Sequence, residues 1–357
     1  MKNVGTEILQ KNFGKDFFEE TMLQKLSGDD GSAIGNFDRV VSKVVDIQSR
    51  SEDLFKPYSD LNVFKTESDI IKVRAREGSD TRDFGLSRGG LSSLCGSLDI
   101  PTNYIKKCIV KDKSDLAINT LNEWIEDRKD QNTFIRLTDN NAYGFLSSKY
   151  SVFDDVEVIN SIYPVLKDKN YIVKNASVTP ELLKMRIVSR DKIQVGEKED
   201  DTLSYGFDIS NSRTGKSSLK ISFIVYRWIC SNGMIMGGGK ASYYSQRHVG
   251  ISDGAFRSEF GTFLENIPEL TKYAEEQIIA SQKKSVTPKE IQQMVDQFKA
   301  MKINKKVEDE LESVIYTGDV RCVWDFTNVL TAMAQKYNIE TRERIETAAG
   351  RILAKQI

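Results

Sequence analysis

The sequence predicts an α+β protein: a central antiparallel β-hairpin or sheet, packed helices and a helical C-terminal region. Apolar residues recur with helical spacing before residue 130 and again after about residue 254. Between them lie runs that alternate with period two, mixed with one helix. Strands and helices do not alternate regularly, which argues against a doubly wound α/β chain.

A length of 357 residues leaves room for two domains, or for one large core with appendages. The divisions expected are a flexible or partly ordered segment over 1–60, with "SGDDGSAIGN" as its joint, an α+β core with a basic hairpin over 61–253, and a helical region over 254–357. A composition 39% hydrophobic and 29% charged is that of an ordinary soluble domain. The longest apolar run, "ISFIVYRWIC", is too short to span a bilayer, and the polar N-terminus lacks the apolar stretch of a signal peptide. Cys95, Cys108, Cys230 and Cys322 show no C-x-x-C spacing, so they read as reduced thiols of a cytoplasmic protein. One histidine and scattered cysteines do not make a zinc site.

Taken in order, "DFGLSRGGLSSLCGSLDIP" places Leu91, Leu94, Cys95 and Leu98 at helical spacing before Pro101. "KSDLAINTLNEWIEDRK" reads as a helix with Leu116, Ile118, Leu121, Trp124 and Ile125 on its apolar side. "TFIRLTDNNAYGFLSSKYSVF" is two strands around Asp139-Asn140-Asn141, residues that tolerate left-handed backbone angles. "DDVEVINSIYPVLKD" is a helix with acids at its positive N-terminal end. "YIVKNASVTPELLKMRIVSRD" returns to strands, "GEKEDDT" is an acidic loop, and "LSYGFDISNS" is a strand. Near the C-terminus, "TPKEIQQMVDQF" opens with Thr287 as cap, Pro288 in the first turn and Glu290 completing a capping box.

"SNSRTGKSSLKISFIVYRWIC" invites a phosphate-loop reading at Gly215-Lys216-Ser217. The first glycine of that motif falls on Ser210, and a strand rather than a helix follows. Leu219, Ile221, Phe223 and Val225 point one way, so "RTGKSS" is a hairpin loop. The other face carries Lys220, Ser222, Tyr226 and Trp228. Net charge is −1, yet no Asp or Glu occurs from Ile209 to Ser252, where the chain's own frequency of 52 acids in 357 residues predicts roughly six. That stretch holds Arg213, Lys216, Lys220, Arg227, Lys240, Arg247 and His248, interleaved with Tyr226, Trp228, Tyr243 and Tyr244. Cations that track a backbone, with aromatics that stack on bases, suit binding of a single-stranded nucleic acid. A buried central hairpin would be poor in acids for the opposite reason, and both readings stand at this level. In the binding reading, Asn211, Asn232 and Gly233 shape the hairpin and its exit.

"RWICSNGMIM" followed by "SQRHVG" resembles the R-[hydrophobic]-[hydrophobic]-C-[ST]-N-G-M…R-H-[ST]-G signature of the phage/plasmid-like proteins, a family built on a bacterial and phage domain of unknown function. "LSSLCGSLDIPTNYI", "AYGFLSSKYSVFDDVEVI", "FDISNSRTGKSSLKI" and "VWDFTNVLTAMAQKY" resemble further pieces of it, across about residues 84–345. Arg213 stands where the family often has an acid, and Val249 where a small hydroxyl residue is common. The domain is distantly similar to the RecT/Redβ single-strand annealing proteins, which assemble into rings or filaments and hold DNA without hydrolysing anything. The resemblance implies a DNA annealing or recombination protein of a phage or mobile element, working in the host cytoplasm. Its implied partners are single-stranded DNA, further copies of the chain, and a single-strand-binding protein or exonuclease of the host or phage, with no membrane and no cofactor.

No catalytic arrangement stands out, and the expectation is a protein that is not an enzyme. His248 in a basic loop suits a phosphate contact or a cap better than a general base. Glu197, Glu199, Asp200 and Asp201 read as a solvated loop rather than a metal site. Two rival classes remain: a protein-interaction or anti-defence factor, and a metal-dependent nucleic-acid enzyme.

Overall fold

A computed structural model of the chain describes residues 37–68, 70–168, 170–194, 202–228, 232–236, 242–317 and 320–357. It is an α+β fold with two largely antiparallel sheets and a helical C-terminal region. Cys230, Lys240 and the "GEKEDDT" acids Glu197, Glu199, Asp200 and Asp201 lie outside the described residues.

Helix α1 (Phe37–Ser49) leads directly into β1 (Ser51–Pro57), so residues 37–60 are built into the fold rather than standing apart from it. The first sheet has the order β1-β5-β6-β4-β3-β2, adding β2 (Leu61–Lys65), β3 (Ile71–Glu77), β4 (Asp80–Leu86), β5 (Asn132–Thr138) and β6 (Asn141–Ser147). β4 and β6 run parallel, and the other neighbours are antiparallel. The β5–β6 turn puts Asp139 and Asn140 at φ of 50° and 57°, the left-handed pair a tight hairpin needs.

Helices α2 (Arg88–Ser97), α3 (Thr102–Val110) and α4 (Ser114–Glu126) complete the core of this sheet. The Ser87 side chain caps α2 by accepting from the Gly90 amide. On α4, Asn122 bonds both the amide and the carbonyl of Val63, at 2.7 and 2.8 Å, and so satisfies edge strand β2 as a further strand would. Ile118, Leu121 and Ile125 are buried, but Leu116 and Trp124 are 46% and 40% exposed, contrary to the expectation for this helix. At 100° per residue, Leu116 lies 200° round from Ile118 and Trp124 lies 100° from Ile125, which takes both off the buried side.

The second sheet has the path β12-β11-β10-β8-β7, built from β7 (Tyr171–Val178), β8 (Leu183–Ser189), β10 (Thr202–Asn211), β11 (Leu219–Arg227) and β12 (Asn232–Ile235). β9 (Ile193–Gln194) joins β10, and β13 (Tyr243–Gln246) joins β11. One face is apolar by strict alternation: Met185 and Ile187, Phe207 and Ile209, then Leu219, Ile221, Phe223 and Val225, all buried. It packs into a single core with α1, α5 (Asp155–Asp168), α6 (Asp253–Lys283), α7 (Pro288–Ala300), α8 (Lys305–Thr317), α9 (Val323–Ala334) and α10 (Ile339–Gln356). The ring of Phe207 meets Phe260 and Phe263 edge-on at 5.6 and 5.9 Å. The capping box at Thr287 and Glu290 is present on α7.

Candidate functional site

The residues singled out on the hairpin divide between two places. The first is a buried junction between the sheets. Arg136, from β5, is 4% exposed; its guanidinium bonds Asp53 at 2.9 Å and Asp154 at 2.6 and 3.0 Å. It also donates to the Arg213 carbonyl at 2.9 Å, and the Tyr150 hydroxyl donates to the same oxygen at 3.0 Å. The loop leaving β10 is thereby bolted onto the first sheet. Arg213 itself is 3% exposed, with its Nε 3.5 Å from Asp154. Asn211 donates to Asp155 at 2.8 Å and to the Phe153 carbonyl at 3.1 Å, and its Oδ1 lies 2.9 Å from His248 Nε2. His248 is 4% exposed and stacks on Tyr150 at 5.3 Å.

Arg213 and His248 therefore cannot meet a nucleic acid as expected: both are interior, and their partners come from segments distant in the chain. Burial and the Arg136 charge bring His248 down to about 4. Burial would push Asp154 up, but Arg136 and Arg213 bring it down to about 2. Burial raises Asp155 and Glu157 to about 7, so the acids at the start of α5 are interior groups and not charged partners of the helix end.

The second place is the face of the second sheet turned away from its main core. Strand register aligns two polar rows across five strands. Tyr243, Ser222, Asp208, Arg186 and Asn175 form one, and Ser245, Lys220, Ser210, Lys184 and Ser177 the other. Four of these strands and α10 enclose a cleft of about 400 Å³. Its lining includes five cations (Lys43, Lys184, Arg186, Lys220, Arg342) against three carboxylates (Asp208, Glu343, Glu346). Arg186 is held at 2.8 and 2.6 Å by Asp208, and at 3.0 and 2.5 Å by Glu346. Burial opposes the charge of Glu346, but Arg186 and Arg342 bring its carboxyl down, while burial raises Asp208. Among the described residues, Lys43 and Lys220 form no ion pair.

Farther along the same face Trp228 is half-buried; its Nε1 donates to Ser204 at 2.7 Å, and Lys174 and Lys192 lie 4.3 and 4.5 Å from its ring centre. Tyr226 is 2% exposed in a small apolar cluster with Val188 and Ile224, so it offers no stacking surface, contrary to expectation. Tyr244 is half-buried against the main core, 6.2 Å from Phe256, and is likewise a packing residue. Tyr243 is 48% exposed at the sheet edge, and Arg247 is exposed just beyond it. Lys216 is half exposed, 3.4 Å from Glu181 and 3.6 Å from Glu340. Arg227 ends β11, half-buried.

Gly215 sits in the strand-to-strand loop at φ +67°, where the Ser212 hydroxyl accepts from the Lys216 amide; no helix follows it to hold a phosphate. Gly233 has no positive φ; a Cβ there would come 2.3 Å from Arg186 Nη1, so this close approach is to an arginine of the fold. Lys43, Lys184 and Arg186 were missed by the sequence reading. The alternation in "LKMRIV" could have exposed the latter two, while nothing local marks Lys43.

Among the described residues, no group of three or more His, Cys, Asp or Glu could hold a metal ion, and no helix is long and apolar enough to cross a membrane. A family model for a domain of unknown function, DUF932, matches residues 142–351, more than half of the chain and reaching from β6 into α10. No curated protein and no solved structure matches the chain.

Proposed function

Because the chain belongs to the DUF932 family, a domain of unknown function, we propose its role from the face it presents: it binds single-stranded DNA on the outer face of the second sheet. The observation that carries this is the pair of polar rows leading from exposed Tyr243, past Lys220, into a cleft whose lining has more cations than acids. Lys220 and Lys43 neutralise phosphates, the serine hydroxyls donate to phosphate oxygens, and Tyr243 stacks on a base. Lys43 lines the cleft from α1, which packs on β7, so three strand spacings, about 14 Å, separate it from Lys220 on β11.

The resemblance to phage/plasmid-like proteins, and through them to annealing proteins, extends the reading to strand annealing or recombination without nucleotide hydrolysis. It places the work in the cytoplasm of a bacterial host, for a phage or mobile element, with the chain acting in several copies.

Fluorescence anisotropy of a labelled oligothymidylate across a salt series tests it, with a complementary pair of strands used to follow annealing. Lys43→Gln/Lys220→Gln should weaken binding and flatten the log–log salt slope by about 1.4, two phosphate contacts at about 0.7 each. Absence of salt-sensitive binding by the wild type would overturn the reading. It would then favour a protein-docking role, for which Tyr104, Val110, Leu116 and Trp124, exposed on α3 and α4, are the observation.

A further inference from the structure

Helix α10 carries Glu340, Glu343 and Glu346 at three-residue intervals, so successive carboxylates rise about 4.5 Å along its axis. Each meets a cation of the second sheet or its hairpin loop. Glu340 lies 3.6 Å from Lys216, Glu343 is 2.5 Å from Lys184, and Glu346 takes both Nη atoms of Arg186. A run of anions at this pitch is comparable to one strand of nucleic acid, which carries one phosphate per about 3.4 Å.

We propose that the acidic run of α10 is a built-in mimic of a polyanion, occupying cations on this face and holding down its affinity for a nucleic-acid strand. The inference rests on the reading of the face given above and adds its regulation. Side-chain exposure grades along the helix: 65% at Glu340, 35% at Glu343 and 0% at Glu346. Glu346 is also bonded by Arg342 at 2.9 Å and anchors the helix. The outer two carboxylates are the ones an incoming strand displaces. Lys43 and Lys220 give it a first hold, and Lys184 and Lys216 join once their glutamates are displaced. The device favours flexible polyanions, which reach the first hold and then follow the helix, over single phosphates.

The test uses the full chain and its Glu340→Gln/Glu343→Gln variant, with Glu312→Gln as a control for net charge, since Glu312 pairs with Lys299 away from this face. Two probes are titrated: an oligothymidylate and inorganic polyphosphate. The double variant should bind both roughly three- to tenfold more tightly. Its salt slope for the oligothymidylate should steepen by about 1.4. The control should match wild type. Oligothymidylate binding that is equal in wild type and double variant overturns the latch and leaves the DNA reading intact. Tighter polyphosphate binding by the double variant, with no DNA binding by either protein, supports the latch and overturns the DNA reading. A gain by the control equal to that of the double variant, or no binding of either probe, overturns the latch.

Discussion

The junction between the sheets and the outer face of the second sheet are both assembled from charged side chains, and they end in opposite states. At the junction Arg136 is 4% exposed and meets two aspartates, and the stretch from Asn211 to Arg213 is tied into the same network. On the outer face some cations are matched by α10, while Lys43 and Lys220 are left without an ion pair among the described residues. The acid-free stretch from Ile209 to Ser252 runs through both. Its missing acids are supplied at the junction by Asp53, Asp154 and Asp155, and on the outer face by Glu340, Glu343 and Glu346. A local excess of positive charge thus marks where distant acids dock, and only its remainder is open to a ligand.

The contrast breaks most sharply at Arg136. Arg136→Met should cost about 3–5 kcal/mol, because it leaves buried aspartates unpaired. Lys220→Met should stay within about 0.5 kcal/mol. Urea denaturation measures both, and equal losses would erase the distinction between a closed and an open region. Next in size, Gly233→Ala should cost about 1–3 kcal/mol, since the new methyl displaces a guanidinium that Asp208 and Glu346 hold in place. A denaturation midpoint equal to wild type would mean that the outer face is looser than its ion pairs imply.

The smallest effect sharpens the contrast through pH. Asp155 and Glu157, raised to about 7 by burial, bind protons in the fold between about pH 4.5 and 7 that the unfolded chain does not. Their contribution to stability therefore grows as pH falls through that window. His248, lowered to about 4, works the other way: the unfolded imidazole takes a proton near 6.5 that the folded one refuses. Two carboxyls outweigh one imidazole, so the junction gains stability on going from pH 7 to pH 5. Asp155→Asn keeps an acceptor for Asn211 and removes one carboxyl, which should flatten the trend. Urea midpoints at the two pH values decide it; an Asp155→Asn protein that still gains as much as wild type would refute the assignment.

Local chemistry made much of the fold legible. The Asp139–Asn140 turn, the capping box at Thr287 and the apolar alternation of β11 are each decided within a few residues, and each is present. The site was legible only in part, because alternation tells which face a residue takes and not what covers that face. Tyr226 lies on the expected side yet is buried in a cluster with Val188 from another strand. His248 is enclosed by Tyr150 and Asn211, neither of them near it in sequence. Lys43 reaches the cleft from a helix that looked, by its polarity, like part of a flexible leader.

That helix has a consequence for how the molecule is made. α1 buries Val40, Val41, Val44 and Ile47 in a core whose strands begin only at Tyr171. At about 5–20 residues per second, synthesis of the intervening chain takes on the order of ten seconds. Through that interval the helix is finished but homeless, and β1 waits likewise for β5. The earliest described segments of the chain are thus completed by some of the later ones, and the fold closes late in translation rather than growing outward from its start.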